Sequence, residues 1–154
     1  MRAPRRFWRL IHLGPRVVYA LGLGPIIGRF VLLLTTFGRK TGLPRVTPLT
    51  FEDLGDTIYL ASARGPVADW YRNILSNPRV SVRLGRRRFQ GMARAITDPE
   101  AIAQYLERQL GRNPRAFGAI LRSEGLPFRP SHERLVRFAP NRPMVEIRPI
   151  VDAA

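Results

Sequence analysis

Gly38, Arg39, Lys40, Thr41 and Gly42 set two cations and a hydroxyl between two glycines, and Arg45 follows shortly after. Glycine at both ends permits positive φ and close backbone approach. Such a turn presents main-chain amides beside guanidinium and ammonium groups, which suits a phosphate or a carboxylate. Among the 26 basic residues of the chain, Lys40 is the sole lysine. If the segments on either side pair as a hairpin, Arg45 returns to the turn. On residues alone a plainer reading stays open, a solvated basic hairpin tip. The turn is not a Walker loop, since G-x-x-x-x-G-K-[ST] is absent, and no G-x-G-x-x-G follows a strand. Gly22, Gly24 and Gly28 have the wrong spacing for that fingerprint, and Pro25 interrupts them.

Composition narrows the chemistry further. The chain has 154 residues and no cysteine, so a disulfide framework, a thiolate metal site and a cysteine nucleophile are excluded. His12 and His132 are the only histidines and lie far apart, which argues against a zinc site or a Ser-His-Asp hydrolase. A net charge of +15 calls for an anionic partner. The arginines are spread along the chain without a dense basic helix or an RNA-binding aromatic signature, so nucleic acid is not the expected partner. At 45% hydrophobic residues, one folded domain of ordinary size is expected.

The elements that must position the turn follow from periodicity. Residues 1–28 read as a basic amphipathic start, with Phe7, Trp8, Leu10 and Ile11 interleaved with arginine, then an apolar stretch broken by Gly14-Pro15 and Gly24-Pro25. Arg29 and the Gly-Pro breaks argue against a membrane span. One or two short helices are expected there, covering the core or touching a membrane interface. Residues 29–154 form the folded domain. A continuous apolar run predicts a strand over residues 30–36, and a second over 45–51 is placed at an edge or bulge by Pro48. A turn is expected at 52–56 and a third strand at 57–62. Val67, Trp70, Tyr71, Ile74 and Leu75 recur at helical spacing, predicting a helix over 67–76 that Asn77-Pro78 ends.

Residues 79–84 and 87–96 alternate around Gly85-Arg86 and predict a β-hairpin. On its second strand Phe89, Gly91, Ala93 and Ala95 share one face, small enough for a crowded barrel interior. Helices are expected over 98–110 and 114–124. Ser131 caps a short helix to Phe138 unless that stretch is extended, and a last strand runs over 144–150. The order predicts an α+β chain, a small, mostly antiparallel, Greek-key-like barrel with flanking helices.

Two motifs in this order resemble the deazaflavin-dependent nitroreductase family. One is Leu33-Leu34-Thr35-Thr36, Gly38-Arg39-Lys40-Thr41-Gly42, Pro44-Arg45 and Thr47-Pro48-Leu49; the other is Asp69-Trp70-Tyr71-Arg72-Asn73-Ile74 with Asn77-Pro78-Arg79-Val80. The resemblance covers residues 30–98 and, more loosely, 143–150. It implies a split β-barrel and reduced coenzyme F420, an 8-hydroxy-5-deazaflavin with a phosphate and a glutamyl tail, as hydride donor. The same barrel with flavin mononucleotide is the alternative, and a non-enzymatic barrel binding an anionic lipid is a third.

Carried over residue by residue, Arg39, Lys40, Thr41 and Arg45 match the positions that hold the phosphate and acidic tail. Val46, Thr47, Pro48 and Leu49 match the strand lining the ring, and Leu60, Ala61, Ser62 and Ala63 the strand end at the deazaflavin edge. Asp69, Trp70, Tyr71 and Asn73 match the helix start that closes the site. Members often carry a lysine directly after the serine matched by Ser62, where Ala63 stands here and Arg64 follows, and the tyrosines that line the pocket of nitroimidazole-reducing members are not evident. The cofactor carries the chemistry, so no protein nucleophile is needed. A quinone, a nitro compound or an activated alkene is the implied acceptor, with Tyr71, Ser62 or water as proton source. A cytoplasmic monomer or homodimer is expected, with residues 1–28 as the segment available for membrane contact.

Overall fold

Alternating apolar residues build the sheet, and the computed structural model describes residues 31–62 and 64–151. The strands are β1 (Leu32–Phe37), β2 (Pro44–Leu49), β3 (Glu52–Asp53), β4 (Ile58–Ala61), β5 (Arg79–Leu84), β6 (Arg87–Ile96) and β7 (Met144–Pro149). The helices are α1 (Asp69–Ser76), α2 (Pro99–Arg112), α3 (Pro114–Ser123) and α4 (His132–Phe138), with single 3-10 turns at Gly65–Val67 and Ala139–Asn141. All strand pairs are antiparallel, in the order β2-β1-β5-β6-β7-β4-β3.

That order forces the sheet to curl. β2 and β3 are its two edges, yet only Thr50 and Phe51 separate them in sequence. In a flat seven-stranded sheet the edges would lie roughly 29 Å apart, six steps of about 4.8 Å. The link from Leu49 to Glu52 spans at most about 11 Å. The sheet therefore rolls into a half-barrel, and the split-barrel expectation holds.

Each face of the rolled sheet buries its own core. Inside, Leu32, Leu34, Leu60, Val80, Val82, Val145 and Ile147 pack with Trp70, Tyr71 and Ile74 of α1. The small residues of β6 are needed there: a Cβ on Gly91 would meet Ile147 Cγ2 at 2.6 Å. Outside, Met144, Tyr59, Ala61 and Ile96 receive Ile102, Tyr105, Leu106, Leu121 and Leu135 of α2, α3 and α4. The helices begin where their caps say. Asp98 accepts from the Ala101 amide at 3.0 Å and Asn113 from Ala116 at 3.4 Å, each with proline at the first helical position. Pro78 disfavours helical backbone at Asn77, which is extended and ends α1.

The departures from expectation are local. The stretch expected to be a turn at 52–56 contains β3, because Glu52 and Asp53 pair with Tyr59 and Ile58. The first strand starts and ends later than expected. The stretch left as helix or extended is α4, with the Ser131 side chain accepting from the Arg134 amide at 3.4 Å. Pro48 does lie on an edge strand. The expectations for residues 1–28 fall outside the described residues. Among the described residues no helix is long and apolar enough to cross a membrane.

Candidate anion and cofactor cleft

The hairpin register puts the basic turn beside the barrel mouth. Thr36 pairs with Arg45 and Leu34 with Thr47, so Arg45 and Thr47 share the inner face with Thr36. The turn is closed by its own backbone. The Gly38 amide donates to the Leu43 carbonyl at 2.8 Å, and the Gly42 amide to the Gly38 carbonyl at 2.7 Å. Gly42 sits at φ 70, a conformation that favours glycine.

A second set of bonds fastens this turn to α1. Buried Asn73 donates from Nδ2 to Thr36 Oγ1 at 3.2 Å. Its Oδ1 accepts from the Arg39 amide at 3.2 Å and from Arg39 Nη1 at 3.0 Å. Arg39 Nη2 donates to Asp69 Oδ1 at 3.0 Å. That hydrogen bond, with the Arg39 charge behind it and Arg72 and Arg64 nearby, holds the Asp69 carboxyl below its ordinary value. The two sequence motifs thus meet in one bonded unit.

Between them lies a cleft of about 450 Å³. Its rim is the turn from Gly38 to Thr41, one wall is Arg45 and Thr47, and the other is Asp69, Trp70 and Asn73. Lys40 and Arg45 pair with no carboxylate among the described residues, whereas Arg39 does. Two free cations facing one cleft are suited to a polyanionic ligand.

Arg39, Lys40, Thr41, Arg45, Thr47, Asp69, Trp70 and Asn73 therefore come together. The other candidates do not line this cleft. Strand alternation turns Val46 and Pro48 to the outer face, where Val46 borders a shallow groove of about 200 Å³ with Leu33, Thr35 and Ser81. Leu49 packs on the barrel core and Leu60 lies inside it. Ala61 faces the helical layer. The Ser62 hydroxyl is buried and donates to the Gly65 carbonyl at 2.7 Å. Tyr71 is buried edge-on to Trp70, with ring centroids 6.1 Å apart, and burial raises its pKa. Ala63 is outside the described residues. Thr36 was not among the candidate site residues, although it ends the Leu33-Leu34-Thr35-Thr36 stretch of the first motif and carries a hydroxyl at the end of an otherwise apolar strand face.

A separate polar assembly lies on the far side of the sheet. The Glu52 side chain is fully buried and takes a hydrogen bond from Gln109, with Arg108 Nε at 3.4 Å and Arg112 Nη2 at 4.0 Å. Burial and the Glu52 charge push the neighbouring Tyr105 hydroxyl up to about 12. Buried Arg142 pairs with Glu124.

Comparison with known proteins returns the family model described as F420H(2)-dependent quinone reductase, matched over residues 16–117. An F420H(2)-dependent quinone reductase of Mycobacterium tuberculosis is 36% identical over 74 residues, 45% of this chain and 50% of that protein. The chain spans about half the length of the curated relatives it matches. Among solved structures, an F420-H2 dependent reductase aligns with TM-score 0.51 at 22% identity, covering 78% of this chain and 95% of its own. The heme-storage protein HutZ of Vibrio cholerae aligns with TM-score 0.55 at 17% identity, covering 80% and 83%. At these identities the structures establish the shared barrel alone, since one fold hosts many functions. The family model covers well over half of the chain and takes in the basic turn, the α1 motif and the hairpin, so the chain belongs to the F420H(2)-dependent quinone reductase family.

Proposed function

We propose that this protein is an F420-dependent oxidoreductase in which a hydride passes from reduced coenzyme F420 to a quinone-class acceptor. The observation that carries the reading is the merging of two distant motifs into one cleft where Lys40 and Arg45 lack carboxylate partners among the described residues. A phosphate and a glutamyl tail supply the anionic groups those cations suit. The residues present fit the group.

When bound, the reduced cofactor supplies the hydride, and the protein's share is binding and orientation. Lys40 and Arg45 hold the anionic portion, Thr47 offers a hydroxyl from the strand, and Trp70 forms an apolar wall beside them. Tyr71 is buried and Ser62 Oγ is engaged with Gly65, so the proton that completes acceptor reduction comes from solvent water. Quinones head the acceptor classes because the matched family is named for them; nitro compounds and activated alkenes come after.

Titrating the full chain with F420 and with flavin mononucleotide, followed by cofactor fluorescence, tests the reading. Tighter binding of F420 is expected. Equal or tighter binding of flavin mononucleotide transfers the cleft to that cofactor. Oxidation of the reduced deazaflavin by a soluble quinone, a nitro compound and an enone then ranks the acceptors. A membrane contact through residues 1–28 rests on their arginine and aromatic pattern; liposome co-sedimentation with and without residues 1–24 tests it, and unchanged partitioning removes it.

A further inference from the structure

Arg39, central to the basic turn in sequence, is engaged by α1. Its Nη1 is on Asn73 and its Nη2 on Asp69, at 3.0 Å each. Asn73 holds the same residue a second time, through the Arg39 amide at 3.2 Å, and is itself anchored on Thr36 Oγ1 at 3.2 Å. We propose that Asn73 is the positioning residue of the cleft, with Arg39 as a strut, so that the anion is met by Lys40 and Arg45. The proposal rests on the cofactor reading above and assigns roles within that site.

The turn lies between Gly38 and Gly42, the two residues least able to stiffen it by themselves. Its own closing bonds hold the loop shut but do not orient it against α1. The bond from the Arg39 amide to Asn73 does, and it acts on the residue directly before Lys40. Arg45 is set from the other side, by the β1–β2 register opposite Thr36. Asn73 Nδ2 is bonded to Thr36 itself, so one buried amide references both cations to the same strand end. Holding binding groups in place before the ligand arrives reduces the ordering cost of binding.

Three measurements on the full chain decide it. In a fluorescence titration with F420, Asn73→Ala is expected to weaken affinity about tenfold or more, the worth of the charge-assisted bonds it organises. Lys40→Ala should then do much less harm in the Asn73→Ala background than in the parent. An unchanged Lys40→Ala effect in both backgrounds overturns the positioning role, because general destabilisation would leave that increment intact. Thr36→Val carries the same comparison where Asn73→Ala fails to fold.

Asp69→Ala gives a test of sign. It removes a negative charge beside an anion site and releases Arg39 from its carboxylate, so tighter F420 binding would make Arg39 a direct ligand and end the strut assignment. Weaker binding, despite the favourable charge change, is the expected result.

Amide hydrogen exchange of the ligand-free chain separates this proposal from the cofactor reading. Asn73→Ala should accelerate exchange at the Arg39 amide and through the turn, with β5–β6 amides unchanged. Unaltered exchange in the turn overturns the clamp whether or not F420 binds, whereas failure of the parent to bind F420 with this pattern intact sinks only the cofactor reading.

Discussion

At the β1–β2 turn, Arg39 meets a carboxylate, Asp69, whose side chain is 77% exposed, while Lys40 and Arg45 meet none among the described residues. Beneath α2, Glu52 is fully buried and draws Gln109, Arg108 and Arg112 to itself; nearby, Glu124 pairs with an arginine side chain that is 6% exposed. Both regions are built from arginine and carboxylate, with opposite outcomes. In the helical layer each pair has one member that the fold has removed from water, the carboxylate at Glu52 and the guanidinium at Arg142, and the pairing serves stability. At the turn, two of three cations stay solvated and uncommitted, which leaves their charge for a ligand. A strongly basic chain thus separates structural from binding cations by which of them the fold brings against a carboxylate.

The largest expected effect breaks the buried side. Glu124→Ala leaves the Arg142 guanidinium buried without its carboxylate, and its Nε–H already lacks a partner among the described residues. Losing the partner of a buried charge costs up to about 3–5 kcal/mol, and less here because the Glu124 side chain is 26% exposed; it is read as a shift in the urea midpoint. The double replacement Glu124→Leu with Arg142→Met should recover much of that loss, because no unpaired charge then remains. If Glu124→Ala is neutral, the burial of Arg142 has no energetic meaning and the contrast fails.

Next in size are the free cations. Lys40→Ala or Arg45→Ala should weaken F420 binding by about 1.5–3 kcal/mol, the usual worth of hydrogen bonds to charged groups. Their urea midpoints should match the parent, since an exposed turn adds little to the core. Affinity should fall with added salt, as exposed charges are screened over about 8–10 Å. Arg86→Ala, at the β5–β6 tip, is the control. Equal weakening by Arg86→Ala would reduce the attraction to bulk charge, and melting by Lys40→Ala would make the turn structural.

The smallest effects are pH-dependent. His132, at the start of α4, has Nδ1 at 2.8 Å from Glu107 and Nε2 at 2.9 Å from Glu100. Those hydrogen bonds, first to Glu107 and then to Glu100, raise its pKa from 6.5. The stability it contributes is therefore fully present below 6.5 and is lost as pH rises through the raised folded value. Comparing unfolding midpoints at about pH 5.5 and pH 9 should show a small decline that His132→Ala flattens. Asp69 runs the other way: its lowered pKa means the Arg39 pair is present above 3.8 and fades only in stronger acid. Loss of F420 affinity between about pH 8 and pH 5 therefore should not trace to Asp69, and Asp69→Ala should leave the shape of that profile unchanged.

The hairpin at 79–96 was legible in full, both strands at their observed bounds, because alternation around Gly85-Arg86 is local information. The helix starts expected at 98 and 114 and the cap expected at Ser131 are equally local, and α2 to α4 begin within a residue of them. The short β3 was not legible, since two residues carry no period and it exists only through pairing with β4.

Within the cleft, the sequence by itself determined the turn, its glycines, its charge and the second motif that resembles a cofactor-binding helix. It also set an alternation in β2, but which of Arg45 to Leu49 face the cleft depended on the register with β1. Only the tertiary structure decided that Arg39 is paired with Asp69, 30 residues on, while Lys40 and Arg45 meet no carboxylate among the described residues. The same holds for Glu52, whose residue type and neighbours suit a solvated turn, yet whose partners arrive from α2 more than 50 residues later. Local sequence specifies period, capping and composition. Which carboxylate a cation meets depends on the segments the curled sheet and its helices bring side by side, and the loop closures that do so leave no mark in the residues around either partner.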